Sequence, residues 1–401
     1  MAIRIPADIT DAFSHLMMVG LASILEDDDS GRHCMIRWVD FRHAELTISD
    51  DLDMEAVSVI VSNHAERWSS MKALQSRGDY TVSGARDAGK SSSMHATMSP
   101  RLSALGVPGG WEKLSQDREA AIDDLRTWGD YRYFGALGQP SYWSGERSKK
   151  LWSDAGASRW EMVTRNQGQE FVQGRLLPLA QKVAERSVQA VQDGLMGKDI
   201  VDEAGKNSAT SRTATGLHAP SKTDNARAWC ALMGVSAFPT WVCTSAGNDD
   251  RDPSTALFQL KGPIRFAVLP ITDKPWTVAK YRSVVRSSAL AEFGIQQKTT
   301  TTDMTTISSA ADWLREKGVC ACVLFNQFVS DNARAGSVGL SRRNNSSVNA
   351  KNRRKTWTMT PSRLAWLPTT CSAHAEHGWK HVGEKVESAQ IAQGTYRSSK
   401  S

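Results

Sequence analysis

The segment Gly84–Ser91 has the spacing of a phosphate-binding loop, G-x-x-x-x-G-K-[ST]. In such a loop, backbone N–H groups surround the nucleotide phosphates, while the lysine and the hydroxyl, here Lys90 and Ser91, reach the terminal phosphates and Mg²⁺. The motif also needs a buried strand before it and a helix after it. Tyr80–Val82 is too short and polar for a central strand, and residues 92–99 are weak helix formers. The sequence therefore favours a loop of glycine and serine, with a P-loop NTPase using Lys90 and Ser91 as the alternative.

Four potential zinc ligands lie close together near the end of the chain. They are Cys371, His374, His377 and His381. If this stretch is helical, the histidines share one face, which suits a three-histidine ligand set. However, the spacing matches no common zinc finger, and small neighbouring residues offer little to orient the rings. The sequence therefore predicts an exposed histidine cluster and no cofactor, with metal binding as the alternative.

A third feature is a basic window between Asn332 and Ala375 that contains no aspartate or glutamate. Its eight basic residues are Arg334, Arg342, Arg343, Lys351, Arg353, Arg354, Lys355 and Arg363. The whole chain has a net charge of +6, so the remainder sums to −2 (6 minus 8). Such a concentrated charge favours a polyanion as its partner, and nucleic acid is the usual one. Serine, asparagine and glycine between the cations predict a flexible loop, and a loop without any partner stays an alternative.

Aromatic and basic residues alternate between Arg126 and Arg165. The aromatic ones are Trp128, Tyr131, Tyr133, Phe134, Tyr142, Trp143, Trp152 and Trp160, and the cations include Lys149, Lys150 and Arg165. This combination suits stacking on unpaired bases while phosphates are neutralised. An aromatic core with solvated charges between its residues fits the pattern equally well. Asn166 and Gln167 follow directly, and their amides can approach base edges.

The bulk properties are those of a globular protein with two or three domains. The chain has 401 residues, of which 40% are hydrophobic and 23% charged. No apolar run is long enough for a membrane span, and we expect no signal peptide in the first residues. The six cysteines are irregularly spaced, so we expect a cytoplasmic protein with reduced thiols. The sequence shows neither a G-x-S-x-G nor an H-E-x-x-H motif, and we expect no enzyme.

Periodicity predicts an α+β fold, an irregular mix of helices and short, mostly antiparallel sheets with a flexible basic loop near the C-terminus. The predicted helices are Phe13–Leu25, a helix capped by Asp53, 178–195, 226–233 capped by Asp224 and ended by Gly234, and 313–317 ended by Gly318. The predicted strands are 3–5, 35–39, 44–48, 240–243, 264–269 and 319–329.

Composition divides the chain into four parts. An N-terminal α+β domain covers residues 1–205 and contains a loop of glycine and serine at 78–110. A polar linker at 206–222 leads to a C-terminal α+β region at 223–383, which contains the basic window. The last residues, 384–401, form a polar tail.

Two segments, with a short third one, resemble a known family. In Asp8–Ala22, the residues after a short strand lead into a helix that carries Gly20-Leu21. Asp224–Pro239 is a helix that glycine ends, followed by a short apolar segment that ends in proline. Together with Asn166–Gly168, these are similar to large-subunit-type proteins of type I CRISPR surveillance (Cascade) complexes of the divergent U/G-like subtypes.

The resemblance implies a non-catalytic subunit that binds guide RNA and target DNA. Such a subunit lies near the 5′ end of the guide, contacts the motif that flanks the target (the PAM), and presents a surface to other Cascade subunits and to a helicase-nuclease. The protein then reads the flanking motif while base pairing reads the rest.

The residues expected to touch nucleic acid come from these regions. We expect phosphate contacts from Arg342, Arg343, Lys351, Arg353, Arg354, Lys355, Arg363, Lys149, Lys150 and Arg165, stacking by Trp357, and base contacts by Asn166 and Gln167. Besides the NTPase, a module whose basic window docks on an acidic protein is an alternative.

Overall fold

The structure, a computed structural model, describes residues 1–80, 94–98, 110–137, 143–147, 150–153, 172–209, 221–237, 257–259, 265–298, 304–328 and 358–366. The helices are α1 (Ala12–Asp28), α2 (Met54–Ser70), α3 (Lys72–Gln75), α4 (Gly110–Ile122), α5 (Trp128–Leu137), α6 (Leu177–Ala184), α7 (Val188–Leu195), α8 (Asn225–Gly234), α9 (Val278–Val285), α10 (Ser288–Lys298) and α11 (Met304–Lys317). The strands are β1 (Ala2–Pro6), β2 (Cys34–Asp40), β3 (His43–Ile48), β4 (Arg77–Gly78), β5 (His95–Ala96), β6 (Trp143–Arg147), β7 (Lys150–Ser153), β8 (Leu257–Gln259), β9 (Arg265–Ile271), β10 (Trp276–Thr277), β11 (Ala321–Phe328) and β12 (Thr358–Trp366). A π-helical turn (Val172–Leu176) precedes α6, and a 3-10 turn (Val235–Ala237) follows α8. The α+β class is therefore confirmed.

The first sheet is antiparallel and has the strand order β1-β3-β2-β10. Alternate residues of β1 and β3 are buried, so one face of the sheet covers the core. α1 begins at Asp11, whose carboxylate accepts the N–H of Phe13 at 3.2 Å, and most of this helix is buried. The strand, the helix and the hairpin predicted in the first 50 residues are thus confirmed.

α1 and α8 cross at two glycines. A Cβ atom on Gly20 would lie 1.7 Å from the carbonyl oxygen of Cys230, and one on Gly234 would lie 2.0 Å from the carbonyl oxygen of Leu16. Only glycine lets the two backbones approach this closely. Gly234 was predicted to end the helix. It is the last residue of α8, and the 3-10 turn follows it directly.

The core behind α1 contains an aromatic group on α2, α5 and α8. Trp68 stacks on Phe134 with ring centroids 5.0 Å apart, and it meets Tyr133 edge-on at 4.8 Å. Trp229 of α8 lies 6.0 Å from Trp68. Residues from both sides of the predicted linker at 206–222 therefore belong to one hydrophobic core.

The second sheet is also antiparallel, in the order β12-β11-β9-β8. α11 leads into it and ends at Gly318, whose φ of +89° favours glycine, as predicted. Cys320 and Cys322 are buried, and burial raises the pKa of the Cys322 thiol, so both act as small hydrophobic residues. Residues 358–366, which the sequence placed in a flexible basic loop, form β12 instead.

Other elements differ from the prediction. The single helix predicted at 178–195 is wrong, because Ser187 interrupts it and caps α7 by accepting the N–H of Ala190 at 3.2 Å. α4 and α5 lie in a stretch without a regular apolar period, and neither these two helices nor α9 and α10 were predicted. β4 and β5 lie within the predicted 78–110 loop or at its edge. The predicted strand at 240–243 lies outside the described residues.

Candidate nucleic-acid interface

Two of the residues expected to touch nucleic acid lie in described strands. Arg363 is in β12, opposite Leu324 of β11, and Lys150 begins β7, opposite Arg147 of β6. The others lie outside the described residues: Arg342, Arg343, Lys351, Arg353, Arg354, Lys355, Trp357, Lys149, Arg165, Asn166 and Gln167. The same holds for the potential zinc ligands Cys371, His374, His377 and His381.

The P-loop match at 84–91 also lies outside the described residues, but the segments on either side of it are described. Arg77 pairs with Ala96 and Gly78 with His95, so residues 95–96 after the motif belong to an antiparallel ladder, where a P-loop has a helix. The hydroxyl of Tyr80 donates a hydrogen bond to Asp117 of α4 at 2.8 Å. These neighbours differ from the strand-loop-helix context that the motif requires.

The aromatic residues of α5 divide into two groups. Tyr133 and Phe134 are buried against Trp68, which is the core role that the sequence left open. Trp128 and Tyr131 are exposed, at 84% and 43%, with their ring centroids 6.1 Å apart. An indole that exposed gains nothing from the core and is free to stack on a ligand. The other two described tryptophans of this region, Trp143 and Trp152, lie in β6 and β7.

Three arginines, hereafter the arginine cluster, lie near one another where α5 and α9 both contact the 3-10 turn. They are Arg132 of α5, Arg282 of α9 and Arg286, which caps the C-terminus of α9. Arg286 donates from Nε to the carbonyl oxygen of Ala237 at 3.3 Å. Within the part of the chain that the structure describes, neither Arg132 nor Arg282 has an ion pair, and the Nε–H of each is buried without an acceptor.

The charges around the arginine cluster are mostly positive. Burial, and then the proximity of Arg132 and Arg286, lower the pKa of Arg282 to about 10. The acid near Arg132 is Glu26 of α1, whose own pKa is raised, chiefly by burial, and whose Oε1 accepts the N–H of Cys34 at 3.1 Å. The carboxyl group of Glu26 thus acts on Arg132, while the charges that act on Arg282 and Arg286 are those of other arginines.

α9 carries a further cation on its other flank. Lys280 lies over the ring of Trp276, with Nζ 5.0 Å from the centroid. Burial, and then the neighbouring charges of Lys274 and Lys317, lower the pKa of Lys280. The ionised groups that act on Lys280 are thus cations, as they are for Arg282. α9 is therefore basic on both flanks, and the cations within each flank repel one another.

A buried polar cluster lies beneath α5 and offers metal-ligand atoms. Asp27, His64 and Asp130 each place one such atom within 4.8 Å of the others. Arg67 already lies between the two carboxylates, donating to Asp27 at 3.0 Å and to Asp130 at 2.6 Å. His64 accepts the indole N–H of Trp229 at 3.1 Å. A cation would have to displace the guanidinium, so this cluster joins α1, α2 and α5 and supplies their charge balance.

The sequence contained a local signal for the basic flanks of α9, but the more basic window at 332–375 drew attention away from it. From Lys274 to Ala291 the chain carries Lys280, Arg282 and Arg286 in addition to Lys274, and no acidic residue. The window is short and only half as basic as 332–375, and nothing in it shows that Arg132, some 150 residues earlier, lies beside it. Tertiary structure is needed to bring the arginine cluster together.

Comparisons with protein-family models, with curated proteins and with solved structures found no match. Among the helices that the structure describes, none is long and apolar enough to span a bilayer.

Proposed function

We propose that this chain binds nucleic acid without turning it over. The observation that carries the proposal is that both flanks of α9 are basic: the ionised groups that act on Lys280 on one flank and on Arg282 on the other are cations. Mutual repulsion of this kind costs free energy, and phosphates would relieve it while releasing their counterions. Trp128 and Tyr131 add exposed rings of the type that stacks on bases.

We further propose that the nucleic acid is the guide RNA and target DNA of a type I surveillance complex, in the cytoplasm. Support comes from the two longer segments that resemble its large subunits, since they form the α1–α8 crossing at Gly20 and Gly234. Segments that make one contact are expected to be retained together. In this role, the basic surfaces would hold guide and target near the flanking motif, and other Cascade subunits and a helicase-nuclease would bind elsewhere.

The test is a salt titration of the full chain on labelled single-stranded RNA, single-stranded DNA and duplex DNA. One variant neutralises α9 (Lys280→Gln, Arg282→Gln, Arg286→Gln) and another the basic window (Arg353→Gln, Arg354→Gln, Lys355→Gln). Each lost phosphate contact lowers the slope of log K against log salt by about 0.9 for a duplex and about 0.7 for a single strand. We expect each variant to bind all sequences more weakly and to lose a slope of roughly 2 to 3.

Lys182→Gln is the matched control, because Lys182 already pairs with Glu185 at 2.5 Å, and its slope should stay that of the parent chain. Unchanged slopes in both triple variants would refute the phosphate contacts. Folded protein that binds none of the three ligands at low salt would favour docking on an acidic protein instead. Magnesium-dependent ATP binding that Lys90→Ala abolishes would favour the NTPase.

A further inference from the structure

The arginine cluster contains two buried donors that lack an acceptor. The Nε–H groups of Arg132 and Arg282 are buried, and among the described residues no oxygen accepts from them. Buried donors are almost always paired, so two guanidinium groups left without acceptors or ion pairs, on two helices that contact the same 3-10 turn, are candidates for a ligand that supplies oxygens. Guanidinium groups fit tetrahedral oxyanions well, because Nε and one Nη can donate together to two oxygens.

The charge of the cluster indicates what kind of oxyanion fits. Arg132 and Arg282 supply two positive charges beside Arg286, and the acid that acts on Arg132, Glu26, is half-buried with a raised pKa caused mainly by burial. An internal phosphodiester carries one negative charge. A terminal phosphomonoester carries nearly two at neutral pH and offers three free oxygens. The second group therefore matches the cluster better in both charge and number of acceptors.

The exposed aromatic pair lies next to this charge. Trp128 precedes Arg132 by four residues on α5, so their side chains emerge from the same side of the helix, one turn apart. Trp128 is 84% exposed and lies beside Tyr131. One turn of helix rises about 5.4 Å, so a phosphate at Arg132 would bring the terminal base of the strand near the indole.

We propose that the arginine cluster binds the terminal phosphomonoester of a nucleic-acid strand and that Trp128 stacks on the terminal base. This inference rests on the proposed function and specifies which part of the strand is bound at α5 and α9. That part is the phosphorylated terminus. The chemistry is the same for a 5′ and a 3′ phosphate, and the experiment separates them.

The experiment measures binding of the full chain to one short labelled single strand in three forms: 5′-phosphate, 3′-phosphate and hydroxyl at both ends. The label is placed inside the strand so that both ends are free. We expect one phosphorylated form to bind about tenfold more tightly than the hydroxyl form, the ratio typical of an added charge-assisted hydrogen-bond pair. Arg282→Gln should bring that ratio close to one.

Lys182→Gln is the matched control, because Lys182 lies on α6, already pairs with Glu185, and should keep the tenfold ratio when neutralised. Trp128→Ala should lower the affinity for the phosphorylated and the hydroxyl forms of the strand alike. This loss should be smaller than the loss of affinity for the phosphorylated form in Arg282→Gln. Thermal unfolding of each variant verifies that it is folded.

Equal binding of all three forms by the parent chain would overturn the end-binding inference and leave general nucleic-acid binding intact. A phosphate preference that survives in Arg282→Gln would place the site elsewhere and would also overturn it. No binding of any strand would overturn both the inference and the proposed function. Inorganic phosphate, added as a competitor, shows whether the preferred end is recognised through its phosphate.

Discussion

Arg67 shows how much one residue holds together in this molecule. Its guanidinium neutralises Asp27 of α1 and Asp130 of α5, and the side chain of Asp130 is fully buried. Asp130 also accepts the N–H groups of Arg126 and Thr127, so the same carboxylate fixes the start of α5. The positions of Trp128 and Arg132 on α5 therefore depend on the ion pair between Arg67 and Asp130 beneath them.

At this scale we predict that Arg67→Met destabilises the fold by about 3 to 5 kcal/mol, because it leaves two largely buried carboxylates without a cation. Arg4→Met is the control: Arg4 pairs with Asp40 where both side chains are exposed, and we expect a loss of only about 0 to 1 kcal/mol. Urea unfolding of both variants measures the difference. Similar small losses in the two would show that the buried cluster does not depend on Arg67.

Among the elements, α1 and α8 set the spacing of the core. The crossing of α1 and α8 at two glycines brings their backbones into contact. α9 and the 3-10 turn that follows α8 also pack against α1. The functional surface on α9 is thus positioned by residues that have no chemistry of their own.

We predict that Gly20→Ala destabilises the fold by about 3 kcal/mol, at the upper end of overpacking costs, because the new Cβ meets a backbone oxygen that no side-chain movement can clear. Gly174→Ala is the control, since a Cβ there has open space within 4 Å, and its stability should change by less than about 1 kcal/mol. Denaturant midpoints compare the two variants. Equal effects would mean that α1 and α8 do not approach as closely as the structure shows.

The elements also show what could be predicted from the sequence. α2 and α8 were predicted from a capping aspartate and a repeat of apolar residues, both of which are local signals. α5 was missed because its apolar side, Tyr133 and Phe134, was interleaved with exposed Trp128 and Tyr131, and composition cannot separate core aromatics from exposed ones. The arginine cluster depends on contacts between distant segments, and these follow from packing instead of local pattern.

For the whole molecule, two buried histidines link stability to pH. The ring of His15 packs 4.6 Å from Trp38 and its Nε2 donates to the carbonyl oxygen of Ile9, while His64 lies against Trp68 and Trp229. Burial, which outweighs the Ile9 hydrogen bond and Asp8, lowers the pKa of His15 to about 4. Burial, and then Arg67, lower the pKa of His64 to about 3, with Asp130 opposing. Both rings are neutral in the folded protein at pH 5, whereas in the unfolded chain histidine titrates near 6.5.

These histidines therefore stabilise the fold above pH 6.5, and that stabilisation is lost as the pH falls toward 4, because the unfolded chain gains protons that the folded protein does not bind. Asp27 and Glu26, whose pKa values are raised chiefly by burial, act in the opposite direction, so the net curve mixes both signs. His15→Gln isolates the contribution of His15, since the charged group that acts on His15 is Asp8 and neither Asp27 nor Glu26. We predict that the stability gap between the parent chain and His15→Gln shrinks by about 2 kcal/mol between pH 7 and pH 5. Urea unfolding at the two pH values measures it, and a gap that stays constant would show that His15 is protonated as readily in the folded protein as in the unfolded chain.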